Sequence, residues 1–183
     1  MHPRKTVVFK TLATLRQAGQ AAPQVARLDK GVDLRQLFGS SMTPAGDFAE
    51  TPPFGVRRAA QQRVPFVFNA PHSGSRYPAR FLAMSKLDAV AIRRSEDCYV
   101  DELFAGAVTL GAPMLAANFP RAYLDANREP WELDPRMFAD ALPAHVNARS
   151  ARVAGGLGTV PRLVGEGQEI YAGKLPLSEA LMR

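Results

Sequence analysis

Residues 63–78, RVPFVFNAPHSGSRYP, run from a dense apolar stretch straight into a polar turn. Val64, Phe66, Val67 and Phe68 are apolar on both faces of an extended chain, the pattern of a strand buried on both sides. Such strands belong to α/β layers, where helices cover the two faces of a sheet. The chain then emerges through Pro71, His72, Ser73 and Gly74 at the strand's carboxyl end, where open α/β sheets place their ligands. Its 183 residues are enough for one domain with a sizeable core. The 15 prolines and 14 glycines favour short elements and many loops over a helical bundle.

The rest of the chain alternates in the same manner. Ser85 is placed to cap a helix from Lys86 onward, and Ser95 a second one that Gly111 and Pro113 stop. Along that second helix Val100, Leu103, Phe104, Ala107 and Leu110 mark an inward face. PMLAANF (113–119) reads as a second strand and AYLDAN (122–127) as a third. Gly165-Glu166-Gly167 can turn a hairpin between RLV and EIY. Residues 1–62 are poorly patterned, with a short helix over 11–28 limited by Gly19 and Pro23, and a loop over 39–55.

Charge and cysteine content narrow the setting. A net charge of +6 and a pI near 9.9 raise nucleic acid as a partner. The arginines are scattered in short pairs without interleaved aromatics, however, which reads as a solvated basic face and excludes nucleic acid as the expected partner. No apolar run is long enough to span a membrane, and the basic start lacks the apolar core of a secretory signal. The single cysteine, Cys98, permits no intrachain disulfide and makes a reducing cytoplasm the simplest compartment.

Four stretches can carry chemistry. His72 is the one histidine of three at the end of an expected core strand, and it reads either as a metal ligand or as a polar turn residue. Asp97 and Asp101, four apart, are expected on one helix face beside Phe104 and Val108, where acids need a cation, a metal or donors. The competing reading is a helix-start preference for acids. Arg121, Asp125, Asn127 and Arg128 crowd together after a strand. Arginine forks suit carboxylates and developing oxyanions, and Asp125 can hold an arginine in orientation. A surface salt-bridge cluster is the competing reading there. RVAGGLGTVPR (152–162) lacks a phosphate-binding glycine pattern and is read as a loop over a pocket rather than a nucleotide site.

In order and spacing, FNAPHSGSRYP, SEDCYVDELF, GAPMLAANFPRAYLDANREPWELDPRMF and ARVAGGLGTVPRLV…IY resemble the N-formylglutamate amidohydrolase family over residues 54–183. The resemblance implies a zinc-exopeptidase (phosphorylase/hydrolase)-like α/β fold, a three-layer α/β/α domain around a central mixed sheet. It implies metal-dependent hydrolysis of N-formyl-L-glutamate to formate and L-glutamate, a step of histidine degradation. His72 would be the first ligand of zinc or another divalent metal. Arg121 would polarise the scissile carbonyl, and Asn127, Arg128 and Ser73 would bind the small acidic acyl-amino acid.

Two departures from the family pattern set further expectations. The exopeptidase pattern has an acid three residues after the first histidine, where this chain has Ser75. The carboxylate ligand is therefore expected from Asp97 or Asp101. The family also carries a later histidine motif of the Asp-Cys-His-Ser type, which this chain lacks. The expectation is accordingly a domain truncated at its C-terminus, inactive or weakly active alone, or else a non-catalytic carboxylate-binding remnant. Residues 1–53 are read as an extension, with Met42 as an alternative first residue. The oligomeric state is left open.

Overall fold

In the computed structural model, which describes residues 52–183, one short strand organises the sheet. Strand β3 (Met114–Ala117) lies between β1 (Phe54–Arg57) and β2 (Phe68–Ala70). It pairs antiparallel with β1, Phe54 opposite Ala117, and parallel with β2, Phe68 opposite Met114. The molecule is thus a mixed α/β fold. A parallel pair needs a long crossover. Here the crossover carries α1 (Ala79–Met84), a 3-10 helix (Ala91–Ser95), α2 (Val100–Leu103) and α3 (Gly106–Thr109). Further on come a 3-10 turn (Pro135–Met137), α4 (Ala151–Ala154), the β4–β5 hairpin (Leu163–Val164 and Gln168–Glu169) and α5 (Leu177–Leu181).

The parallel pairing has one consequence that matters for function. Both β2 and β3 leave the sheet at the same end, so the loop after β2, carrying His72, runs beside the loop after β3, carrying Arg121 and Asp125. The two loops touch backbone to backbone: Arg76 N–H donates to the Asn118 carbonyl at 3.0 Å. Gly74 allows this approach. A Cβ there would lie 2.2 Å from the Phe119 carbonyl oxygen and 2.7 Å from that of Ala117.

The main core draws none of its buried residues from β1, β2 or β3. Tyr77, Phe81, Ile92, Leu133, Phe138, Val160, Ile170 and Tyr171 bring together α1, the 3-10 helix and the later loops. Arg183 is driven into this core with its side chain fully buried. Its guanidinium carbon lies 5.3, 4.6 and 5.6 Å from the ring centres of Phe81, Tyr123 and Tyr171. It donates to the Tyr171 hydroxyl at 2.7 Å and pairs with Glu179 of α5 at 3.2 Å. Ring faces and a carboxylate together thus partner the buried cation, although its Nε is left without a hydrogen bond.

The 113–119 strand and the 165–167 hairpin turn lie where the sequence puts them, and Gly111 ends α3 at φ 97°. Other expectations are corrected. The strand expected over 63–70 is regular only at 68–70, because Pro65 interrupts the ladder of donors. Phe54 and Gly55, read as loop, begin β1. The third strand over 122–127 is instead a series of turns closed on Pro120 and Asp125 carbonyls. Ser85 ends α1 rather than starting a helix, and Asp88 accepts from Val90 and Ala91 N–H to begin the 3-10 helix. Ser95 caps nothing. Tyr99 sits at φ 62°, so helix begins only at Val100; it stops after Leu103 and resumes at Gly106, and the 3.6-residue period fails: Leu103 and Leu110 are exposed. The 11–28 helix lies outside the described residues, as does nearly all of the 1–53 extension and the 39–51 part of the loop. No helix among the described residues is long and apolar enough to cross a membrane.

Replacing Gly74 by Ala should force the two loops apart and cost about 3 kcal/mol in urea unfolding. Gly55→Ala, whose Cβ meets nothing within 4 Å, should change stability by no more than about 0.5 kcal/mol. Equal effects at the two glycines would contradict the close approach.

Candidate active site

Asp125 is fully buried, and its carboxylate collects donors from several directions. His72 Nε2 lies 2.8 Å from Oδ1, and the Asn127 backbone N–H donates to the same oxygen at 3.0 Å. Arg121 Nε donates to Oδ2 at 3.0 Å and an Arg128 terminal nitrogen lies 3.1 Å from it. A buried carboxylate is tolerable only when saturated in this way. The i−4 and i+3 spacing of the arginines supplies two partners from the same turn segment, and the parallel strands bring the third from 53 residues away.

The glycine-rich segment accounts for the rest of the support. Asp125 N–H donates to the Thr159 carbonyl at 2.8 Å, and Arg128 Nε to the Leu157 carbonyl at 2.8 Å. Gly158 makes the approach possible, since a Cβ there would fall 2.3 Å from the Glu132 carbonyl oxygen. These contacts make residues 152–162 a cradle for the acid and its arginine.

On the other side of the ring, His72 Nδ1 lies 3.5 Å from Asp97 Oδ2, and Asp97 N–H donates to the His72 carbonyl at 3.0 Å. The Asp97 segment is held by Glu96, whose side chain is almost fully buried and accepts from Tyr77 Oη, from Arg93 Nε at 3.0 Å and from Cys98 Sγ at 3.3 Å. Burial opposes a charge on His72, yet the hydrogen bonds to Asp125 and Asp97 outweigh it and raise its pKa above 6.5. Burial likewise opposes charge on Asp125, but the His72 contact and Arg121 push its carboxyl down to about 2.

The residues singled out in the sequence separate into two groups. His72, Asp97, Arg121 and Arg128 converge on or beside Asp125. Asn127 joins through its backbone and keeps its side chain exposed. Ser73 lies next to the ring but turns its hydroxyl onto the Ala70 carbonyl at 3.3 Å. Asp101 is elsewhere. The expected shared helix face with Asp97 is corrected, because Asp97 precedes the left-handed Tyr99 and only Asp101 is helical. Asp101 pairs instead with Arg57 of β1 at 3.2 Å. The histidine partner of Asp125 was the contact that sequence spacing did not reveal.

Chemically, the arrangement orients an imidazole. A carboxylate on Nε2–H fixes the tautomer and leaves Nδ1 facing Asp97, the usual support of a metal-binding histidine. The 3.5 Å between Nδ1 and the Asp97 oxygen is close to the spacing of two ligands on one tetrahedral ion, about 3.4 Å for bonds of about 2.1 Å. Two donors therefore fit a zinc site. No group of three His, Cys, Asp or Glu side chains suited to a metal occurs among the described residues. Two cavities of about 360 Å³ flank the hub, one lined by Arg128, Trp131 and Leu133, the other by Arg121, Leu157 and Val164.

Comparison with known proteins bears directly on this constellation. The family pattern of N-formylglutamate amidohydrolase matches residues 64–183, most of the chain. The chain belongs to the N-formylglutamate amidohydrolase family. Among solved structures it is similar to the N-formylglutamate amidohydrolase from Ralstonia eutropha JMP134, determined at 2.00 Å, with 32% identity and a TM-score of 0.65. The match covers 72% of this chain and 46% of that one, so the chain spans less than half the length of this relative. No curated protein matches it. The matched residues include every member of the cluster from His72 to Arg128.

The two shifted groups define a pH window. Asp125, depressed from 3.8, stabilises the fold above that value, and the contribution is lost as pH falls towards 2. His72, raised from 6.5, contributes fully below 6.5, and the contribution fades as pH rises through its elevated pKa. Asp125→Asn in metal-free protein should therefore cost about 3 kcal/mol near pH 5.5 and less on either side. Urea unfolding across pH checks this; a pH-independent difference would contradict the ion pairing.

Proposed function

We propose that this chain carries the front part of a metal-dependent amidohydrolase site that hydrolyses N-formyl-L-glutamate to formate and L-glutamate. The observation that carries the reading is the buried Asp125 contact to His72 and two arginines, in a member of this family. The same reading takes in a three-layer α/β/α domain and a cytoplasmic setting for its exposed free thiol at Cys98.

The roles follow from the available atoms. Arg121 uses Nε on Asp125, leaving its terminal nitrogens for a carbonyl oxygen that gains negative charge as the amide is attacked. Arg128 spends donors on the Asp125 carboxylate and on the Leu157 and Asn127 carbonyls, which holds it rigid beside its cavity. With the free Asn127 amide it would grip a substrate carboxylate, a charge-assisted contact that fixes orientation before reaction. Ser73 offers its hydroxyl oxygen beside the imidazole. A divalent ion held by His72 Nδ1 and Asp97 would supply an acidified water and a polarised carbonyl. Asp125 keeps the proton on Nε2, so the metal-facing nitrogen stays free to bind.

A second reading, a carboxylate-binding protein without catalysis, is favoured by one observation: only two ligand atoms for a metal stand together among the described residues. Metal content and formate release separate the readings. After zinc loading, His72→Ala and Asp97→Ala should each lose bound metal, while Asp101→Ala retains it. Arg121→Ala should keep the metal and lower kcat for formate release by about a hundredfold. Wild-type protein that binds glutamate but neither zinc nor turns over would establish the second reading instead.

A further inference from the structure

The cavity on the Arg121 side contains a cation that the proposed chemistry does not use. Arg94 lies at the end of the 3-10 helix, and both Arg94 and Arg121 line this cavity of about 360 Å³. Arg121 ties it to the hub, since its Nε is on Asp125. Leu157, Pro161, Leu163 and Val164 give it apolar walls suited to methylene groups. Ser95 Oγ, also on the lining residues, is buried without a hydrogen-bond partner. A buried hydroxyl left in this way is costly unless a ligand completes it.

The present partner of Arg94 is Glu166, at 2.6 Å. Glu166 is the middle residue of the hairpin tip and is held in the left-handed region, at φ 60° and ψ 20°. Gly165 lets that tip rest on Arg94, its would-be Cβ falling 3.3 Å from both the Arg94 Cβ and carbonyl oxygen. The Arg94 and Glu166 side chains are 41% and 79% exposed, so the bond between them is weak and readily exchanged. Glu166 thus presents a tethered carboxylate to Arg94.

We propose that this cavity receives the distal carboxylate of a dianionic acyl-amino acid, with Arg94 as the specificity-determining cation and Glu166 as the internal anion it displaces. The inference rests on the amidohydrolase reading and names a determinant of its substrate class. One carboxylate of the substrate is then held at Arg128 and the other at Arg94, and Arg121, which lines the same cavity as Arg94, takes the scissile amide.

Isothermal titration of N-formyl-L-glutamate and its isostere with an uncharged side chain, the monoanion N-formyl-L-glutamine, tests this without requiring turnover. Wild-type protein should bind the glutamate compound at least about tenfold more tightly, as expected for one charge-assisted contact. Arg94→Gln should abolish that preference while leaving formylglutamine affinity within about twofold, and Glu166→Gln should tighten formylglutamate binding several-fold. Equal wild-type affinities, or a preference that survives Arg94→Gln, overturn the subsite alone. Failure of both compounds to bind wild-type protein overturns the amidohydrolase reading together with the subsite.

Discussion

A carboxylate with no exposure to solvent has to be answered by its own protein, and Asp125 is answered by an imidazole, two guanidiniums and a backbone N–H. Much of the surrounding architecture serves that requirement. The parallel pairing of β2 with β3 brings the His72 loop alongside the Asp125 loop. Gly74 and Gly158 let neighbouring backbones close to distances that a side chain would forbid. The result is an imidazole whose orientation is set from behind, with one nitrogen committed and the other turned towards Asp97.

The same hub links the two arginine-lined cavities. Asp125 Oδ2 holds Arg121 and Arg128 together, so neither guanidinium swings freely, and each presents its remaining donors on a different side. Preorganised donors of this kind are what catalysis by electrostatic stabilisation requires, because little reorganisation remains for the reaction itself. An exposed arginine pair on the surface would lack that rigidity. Burial of the shared acid is what separates this held cluster from a surface salt bridge.

Several parts of this could be read from residue order, and others could not. The strand at 113–119, the Gly165–Gly167 turn and the crowding of Arg121 and Arg128 about Asp125 follow from local pattern and motif. Asp125 was legible as an arginine holder, because i−4 and i+3 spacing is local. Its bond to His72 depends on strand pairing, which spacing does not encode. The Asp97–Asp101 pair misled for the opposite reason: the 3.6-residue period assumes an unbroken helix, and left-handed Tyr99 breaks it. Glu96, beside them, is the buried anchor of the Asp97 segment.

The central claim is that Asp125 fixes the tautomer of His72 and thereby selects the nitrogen that meets a metal. Long-range proton–nitrogen NMR correlations of the His72 ring, recorded on metal-free and zinc-loaded protein, test it directly. The account predicts that Nε2 keeps its proton in both states, while the Nδ1 resonance alone shifts on addition of zinc. Loss of the Nε2 proton on metal binding, or a zinc shift centred on Nε2, would contradict it.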